Sequence, residues 1–187
     1  MAQKTLFIEK PDGLRLAIPS GKFLAAWGIS EREILRQKQA YADDIARHEA
    51  TLTRVGAPDN EIEYAATQVQ ELKRLQLDLR PYAVLLVGYE AEHKPLQMVQ
   101  IKNKVDDIYA ALPDKSKFVL IECEGGHVCY MPSKIEQAEE IKLPAITYDD
   151  IELEEGTFVS VNLAYGGEHN KQTITLLVDA PITDIIK

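Results

Sequence analysis

Two stretches of the chain carry mainly apolar residues at intervals of three and four, the spacing of a helix with one buried face. In the first stretch, from residue 30 to residue 55, the stripe is Ile34, Tyr41, Ile45, His48, Leu52 and Val55, in which the step from Ile34 to Tyr41 is seven, a three plus a four. In the second, from residue 60 to residue 79, the stripe is Ile62, Ala65, Val69, Leu72, Gln76 and Leu79. The pattern predicts a long antiparallel helical hairpin, a coiled-coil-like arm over residues 30–80.

The ends of both predicted helices carry local signals. Ser30, with Glu33 three residues later, is a capping box, and Asn60 with Glu63 repeats the spacing. Gly56 supplies the left-handed residue that ends many helices. At about 1.5 Å per residue the first helix would reach about 39 Å, which is longer than a compact domain of this size can easily cover. We therefore expect part of the arm to project or to pair with another chain.

The rest of the chain predicts strands joined by tight turns. Three hairpins are predicted, over residues 5–18, 118–131 and 157–178. The turn of the first is Lys10–Gly13, whose Pro, Asp and Gly fit a type I turn with a glycine bulge. Residues 82–89 are apolar at successive positions, which predicts a central strand buried on both faces.

Three further segments follow less regular patterns. Residues 96–101 fit either a strand or the start of a helix, and we favour a strand followed by a helix over 103–112. Residues 134–141 predict a short helix, and residues 145–156 an acidic connector. The fold class expected is α+β, a mainly antiparallel sheet built from hairpins with an inserted helical arm. We expect one domain over 1–187, with a lead-in hairpin over 1–29, the arm over 30–80 and an acidic α+β body over 81–187.

The net charge of -9 is carried entirely by the second half of the chain. Residues 1–82 hold 12 Lys and Arg against 12 Asp and Glu, whereas residues 83–187 hold 9 against 18. This acidity argues against a broad nucleic-acid surface, which needs an excess of cationic side chains, and permits a basic protein partner. The longest aliphatic run, residues 83–87, is too short to span a membrane, and a cytoplasmic location with reduced cysteines is expected.

A polar cluster surrounds the glycine pair of the second hairpin. If Gly125-Gly126 forms the turn, Glu124 lies opposite His127 and Glu122 lies opposite Cys129. These four side chains then share one face, while Cys123 points to the other. Two carboxylates, an imidazole and a thiol could ligate a metal or activate the Cys129 thiol. The alternative is a solvated face with an ordinary cross-strand pair.

A third hypothesis concerns residues 21–36. Gly28-Ile29-Ser30, with Ile34 beyond, resembles the turn of a helix-turn-helix DNA-binding motif, and the resemblance implies a DNA-binding regulator. Leu24 stands where that motif has a small residue, and the following helix opens with two glutamates. The resemblance covers about a dozen positions.

The sequence contains no phosphate-binding, nucleophile-elbow or zinc-protease motif, so no residue is assigned a catalytic or cofactor-binding role. We favour a non-enzymatic interaction or assembly protein whose arm contacts a protein partner or a second copy. The interaction site proposed is the seam of the arm, with the residues Ile34, Tyr41, Ile45, His48, Leu52, Val55, Ile62, Val69, Leu72 and Leu79. The alternatives are a metal- or thiol-dependent enzyme centred on residues 122–129 and the DNA-binding regulator.

Overall fold

The computed structural model describes residues 4–78, 83–88, 96–165 and 172–186. The chain forms two compact units. One, here called the sheet unit, comprises Met1–Ser30, Pro81–Ala145 and Glu155–Lys187; the other, the helical unit, comprises Glu31–Arg80 and Ile146–Glu154. That they constitute one domain stays a prediction.

The fold is α+β, with antiparallel sheets and four α-helices in the described part of the chain. The strands are β1 (Thr5–Glu9), β2 (Arg15–Pro19), β3 (Phe23–Gly28), β4 (Ala83–Val87), β5 (Gln97–Ile101), β6 (Val119–Cys123), β7 (Gly126–Tyr130), β8 (Ile135–Leu143), β9 (Ile146–Tyr148), β10 (Ile151–Leu153), β11 (Gly156–Tyr165) and β12 (Gln172–Val178). The helices are α1 (Glu31–Thr53), α2 (Asp59–Asp78), α3 (Val105–Ala111) and α4 (Ile182–Ile185).

The sheet unit is built on a five-stranded sheet with the order β5-β4-β3-β7-β6. All five residues of β4 are buried, which confirms the predicted central strand. On one face β4 contributes Leu85, and β5 contributes Ile101, to a core that α3 and the β1–β2 hairpin cover. Phe23 of β3 packs there against Phe118, with ring centroids 5.1 Å apart. Apolar burial of this kind is the main source of stability in a fold.

The first hairpin forms as predicted, and its turn is stabilised by local hydrogen bonds. The amide of Gly13 donates to the Lys10 carbonyl at 2.9 Å, and the side chain of Asp12 accepts from the Leu14 amide at 3.0 Å. Gly13 has φ of 85°, the left-handed conformation of a glycine bulge. The strand over 97–101 and the helix after it are also confirmed. The helix begins at Val105 rather than at Asn103, and the Asn103 side chain accepts a hydrogen bond from the amide of Glu9 at 2.8 Å.

The second sheet of the sheet unit has three strands in the order β12-β11-β8. The predicted helix over 134–141 is wrong, since these residues belong mostly to strand β8. A bulge at Glu136 puts Ile135 opposite Leu163 and Ala138 opposite Val161. Two apolar residues three positions apart therefore share one face of a strand, which imitates the spacing of a helix.

The helix-turn-helix interpretation of residues 21–36 is also wrong. Residues 23–28, which would precede the turn of that motif, form the central strand β3 between β4 and β7. Five of its six residues are buried, including Trp27. A strand in the middle of a sheet cannot supply the first helix of such a motif.

In the helical unit, α1 and α2 pack together. Helix α1 begins directly after Ser30, as predicted, and Gly56 has φ of 80°. Helix α2 begins at Asp59, one residue after Pro58 and before the predicted cap Asn60. The Pro58 carbonyl accepts from the amides of residues 61 and 62. The coiled-coil character of this packing stays a prediction.

The residues predicted to form an acidic connector, 145–156, include a small β-hairpin. Strands β9 and β10 pair around Asp149 and Asp150, which both have positive φ, 48° and 64°. This hairpin packs on α1, where the Lys38 ammonium lies 5.6 Å from the centre of the Tyr148 ring. The sequence does contain a pattern that predicts this hairpin, an alternation of apolar residues around a two-residue turn: Ile146, Tyr148, Ile151 and Leu153. The many acidic residues in the segment obscured this pattern.

Among the helices in the described ranges, none combines the length and the apolar character needed to cross a membrane.

Candidate functional site

The hairpin of β6 and β7 carries the polar cluster that the sequence singles out. Its turn is Glu124-Gly125, one residue earlier than predicted, so Glu122 rather than Glu124 lies opposite His127. Cys129 lies opposite Leu120 instead of Glu122. Glu124 is in the turn and outside the strand pairing.

Two glycines explain this register. A Cβ atom on Gly28 would lie 2.0 Å from the carbonyl oxygen of Gly125, and one on Gly125 would lie 2.7 Å from the backbone nitrogen of Ser30. The turn therefore approaches the end of β3 so closely that neither position has room for a side chain. Gly126 is the first residue of β7 and has φ of 107°, which other residues rarely adopt.

The predicted division of the faces survives the shift in register. Glu122, His127 and Cys129 lie on one face of the hairpin, and Cys123 lies on the other, because the shift moved each residue's partner by two positions. The two thiols point to opposite faces, and both cysteines are free.

His127 has a partner that the sequence analysis missed. Its Nδ1 lies 3.0 Å from the carboxylate of Asp106 in the first turn of α3. Asp106 lies within the helix predicted over 103–112, and nothing local in the sequence links positions that are 21 residues apart. Both side chains are partly exposed, at 31% and 52%, so the contact ties α3 to β7 with a modest free energy.

Cys129 belongs to the hydrophobic core. It is fully buried beside the apolar residues of β3, β4 and α3. Burial raises the pKa of its thiol from 9.0 to about 12, so the thiol stays protonated at neutral pH. The thiolate is the nucleophile in cysteine chemistry, so this environment disfavours the activated thiol of the enzyme hypothesis.

Cys123, on the opposite face, is also a poor nucleophile. Burial is the main cause that raises the pKa of its thiol to about 12, and the negative charges of Asp179, Asp184 and Glu122 add to it. On the same face the Tyr130 hydroxyl donates to the Ile185 carbonyl at 3.2 Å, which ties β7 to α4. This face of the hairpin holds the C-terminal segment in place.

Of the candidate cluster, Glu122, His127 and Cys129 share one face of the hairpin, and Glu124 lies in its turn. Within the described residues, no group of three or more His, Cys, Asp or Glu side chains is arranged to hold a metal ion. A shallow cavity of about 280 Å³ lies elsewhere in the sheet unit, between β8, the start of β11 and residues 179–181. Its polar residues include Glu140 and Thr157, both exposed.

The helical unit holds the other set of predicted site residues. Of the predicted seam, Ile45 and Val69 are buried. The half-buried members are Ile34, Tyr41, His48, Leu52, Ile62 and Leu72. Val55 follows the end of α1 and is fully exposed, so it is not part of a seam, and Leu79 lies outside the described residues. Leu35 and Ala65 are buried as well, although the proposed site did not include them.

Polar contacts also join the two helices. Lys73 lies 2.8 Å from Glu49, and the side-chain amide of Gln76 donates to the Lys38 carbonyl at 3.1 Å. Gln76 therefore bonds to the backbone of α1, whereas the ring of His48 meets Tyr64 edge-on with centroids 5.9 Å apart. Near the turn, Arg54 pairs with Glu61.

The turn between the helices exposes apolar side chains. Val55 is 100% exposed and Tyr64, in the second turn of α2, is 60% exposed. Asp59, Glu61 and Glu63 surround them in sequence. We call these five residues the tip surface.

No protein family, curated protein or solved structure matches this chain.

Proposed function

We propose that this chain is a non-enzymatic protein-binding protein and that the tip surface of the helical unit is its contact site. The proposal includes the antiparallel helical hairpin with coiled-coil-like packing. The contacts of Arg54 with Glu61, His48 with Tyr64 and Lys73 with Glu49 support it, because later residues of α2 meet earlier residues of α1.

The observation that carries the proposal is the exposure of Val55 and Tyr64 at one end of the helical pair. Val55 is exposed over its whole surface and stands in a turn whose neighbours are polar or small. Val55 and Tyr64 both lie near the turn that joins the helices, and an exposed apolar region rimmed by polar residues is typical of a binding site, whereas scattered apolar side chains are not informative. Aromatic residues are also enriched at contact surfaces.

The charges of the tip surface indicate the kind of partner. Asp59, Glu61 and Glu63 bring three negative charges, and the ion pair with Arg54 offsets that of Glu61. Carboxylates at the start of a helix also stabilise the helix itself, so their presence alone does not require a partner. Together with the apolar side chains they fit a protein that presents apolar residues flanked by lysines and arginines. The net charge of -9 would speed the approach of such a partner.

Two members of the candidate cluster make contacts within the fold. The Cys129 thiol lies in the core, and the imidazole of His127 contacts Asp106. This supports a binding role over the metal- or thiol-dependent enzyme.

The test compares the full-length protein with two variants in affinity capture from the native host. One variant carries Val55→Lys and Tyr64→Lys, which places two positive charges at the tip surface. The matched control carries Phe7→Lys and Leu14→Lys, at two exposed apolar positions of the sheet unit that are 75% and 54% exposed. We expect one defined protein that the unmodified chain and the control both retain and that the tip variant loses.

The captured protein is then purified and its affinity measured. We expect the tip variant to bind at least about tenfold more weakly, the loss of about 1.4 kcal/mol of contact free energy, and the binding to weaken as salt rises. Equal binding by the tip variant, or failure of the unmodified chain to retain any protein, would overturn the proposal.

A further inference from the structure

The two outer strands of the three-stranded sheet differ in their charge. Strand β8, on one side, carries four charged residues and the bulge at Glu136. Strand β12, on the other side, reads Gln-Thr-Ile-Thr-Leu-Leu-Val over residues 172–178, without a charge, a proline or a glycine. Charges and bulges on an outer strand prevent it from pairing with another chain, and β12 has neither.

Strand β12 is the outer strand on its side of this sheet, and at its start the Gln172 side chain accepts a hydrogen bond from the Leu96 amide at 2.7 Å. Over the ranges described, β12 pairs with β11 alone. Thr173 and Thr175 are exposed on one face, while Leu176 and Val178 are buried on the other. An outer strand of this kind presents a row of backbone N–H and C=O groups that a further strand can satisfy.

We propose that β12 pairs with β12 of a second copy of this chain. The strands run antiparallel about a two-fold axis at Thr175, and the two three-stranded sheets become one sheet of six strands. This site is separate from the tip surface and goes beyond the proposed function.

The sequence of β12 fits such a self-pairing. In this register Thr175 of one copy lies beside Thr175 of the other on the exposed face, a favourable cross-strand pair. On the buried face Ile174 lies beside Leu176 of the second copy, so aliphatic residues meet. Each copy has a net charge of -9, and two copies repel each other over most of their surface. An uncharged strand is the place where they can approach without opposing like charges.

The association is expected to be concentration-dependent. Pairing one strand of seven residues buries a small area, and small interfaces belong to weak or transient complexes. The backbone hydrogen bonds supply attraction, and the matched side chains set the register.

The experiment measures the mass of the full-length protein by light scattering and sedimentation over a wide range of concentration. We expect a shift from 21.0 kDa to twice that mass as the concentration rises. Thr175→Lys should abolish the shift, because the axis places the two new charges side by side. The matched control is Gln137→Lys on β8, which lies in the same cross-strand row through Asn162 at the opposite edge of the sheet. The control should associate like the unmodified protein.

A mixture of two variants tests the two-fold register. Thr175→Lys and Thr175→Glu should each remain monomeric alone, and together they should form a heterodimer, because opposite charges then meet at the axis. Thr175 donates a hydrogen bond to Asn162 at 2.5 Å, so circular dichroism must show that each variant is folded. If either does not fold, Thr175→Cys replaces the pair, and mild oxidation should link two copies through residue 175.

Three results would overturn the proposal. The first is that the unmodified protein stays a monomer at every concentration, and the second is that Thr175→Lys still forms the dimer. The third is that the mixture of the two charged variants, or the oxidised Thr175→Cys protein used in its place, stays monomeric. Loss of the dimer in Thr175→Lys with retention of the partner captured through the tip surface separates this proposal from the proposed function.

Discussion

In the sheet unit all five residues of β4 are buried, whereas in the helical unit α2 buries only Ala65 and Val69 among its described side chains. The sheet unit places Leu85 and Ile101 at 0% exposure in a continuous core. The helical unit adds ion pairs at its surface, such as Lys73 with Glu49. Burial of apolar surface contributes much more than an exposed ion pair. We therefore expect the two units to differ in their response to substitution.

The largest expected difference concerns thiols. Burial raises the pKa of Cys129 from 9.0 to about 12, so at pH 8 it should hold roughly a thousandfold less thiolate than an ordinary cysteine. Labelling of the folded protein with a thiol reagent should be correspondingly slow. Val55→Cys in the helical unit is the matched control, since Val55 is fully exposed and should react at an ordinary rate.

The same pKa shift predicts a direction for stability against pH. Because the folded pKa of Cys129 lies above the ordinary value, the folded state holds this proton more tightly than the unfolded state. The resulting stabilisation is complete below about pH 9 and is lost as the pH rises toward 12. If the thiol reagent labels Cys129 in the folded protein as fast as it labels the Val55→Cys control, Cys129 is not shielded in the core.

A truncation in each unit gives the next largest difference. Leu85→Ala should lower the free energy of unfolding of the sheet unit by about 2–5 kcal/mol, because it leaves a cavity beside the core. Leu77→Ala in α2, where the side chain is 79% exposed, should change stability by less than about 0.5 kcal/mol. Denaturant unfolding followed by Trp27, the only tryptophan, reports on the sheet unit, and circular dichroism reports on the helices. Similar losses for both variants would refute the comparison.

An effect much smaller than that of Leu85→Ala is expected for an ion pair of the helical unit. Lys73→Ala removes the contact with Glu49, and both side chains are about half exposed, at 54% and 49%. The loss should be about 0.2–1 kcal/mol and should disappear at high salt, where exposed charges are screened. Unfolding of the unmodified protein and the variant at low and high salt measures it. A salt-independent loss would mean that Lys73 acts through packing of its aliphatic stem.

Several features of the fold were predictable because their causes are local. Ser30 and Gly56 mark the two ends of α1, and the Lys10–Gly13 turn formed as its residues indicate. The division of the β6–β7 faces was also predictable, since alternation along a strand depends only on the strand itself.

Other features depend on contacts between distant positions and could not be predicted. The bulge at Glu136 gave β8 a helix-like spacing, and the charges around Asp149 obscured a hairpin. In the candidate site, Asp106 reaches His127 only because α3 packs on β7. The turn register likewise depends on the approach of Gly125 to Gly28.

The sequence by itself determined where α1 begins, where the first hairpin turns and which residues of β6 and β7 share a face. Capping, glycine φ angles and alternation act over a few residues and need no partner. Only the tertiary structure decided that β3 lies at the centre of its sheet, that Cys129 is a core residue and that β12 is an outer strand in the described part of the chain. These properties depend on which segments meet in space, because burial and strand order arise only when distant segments pack together.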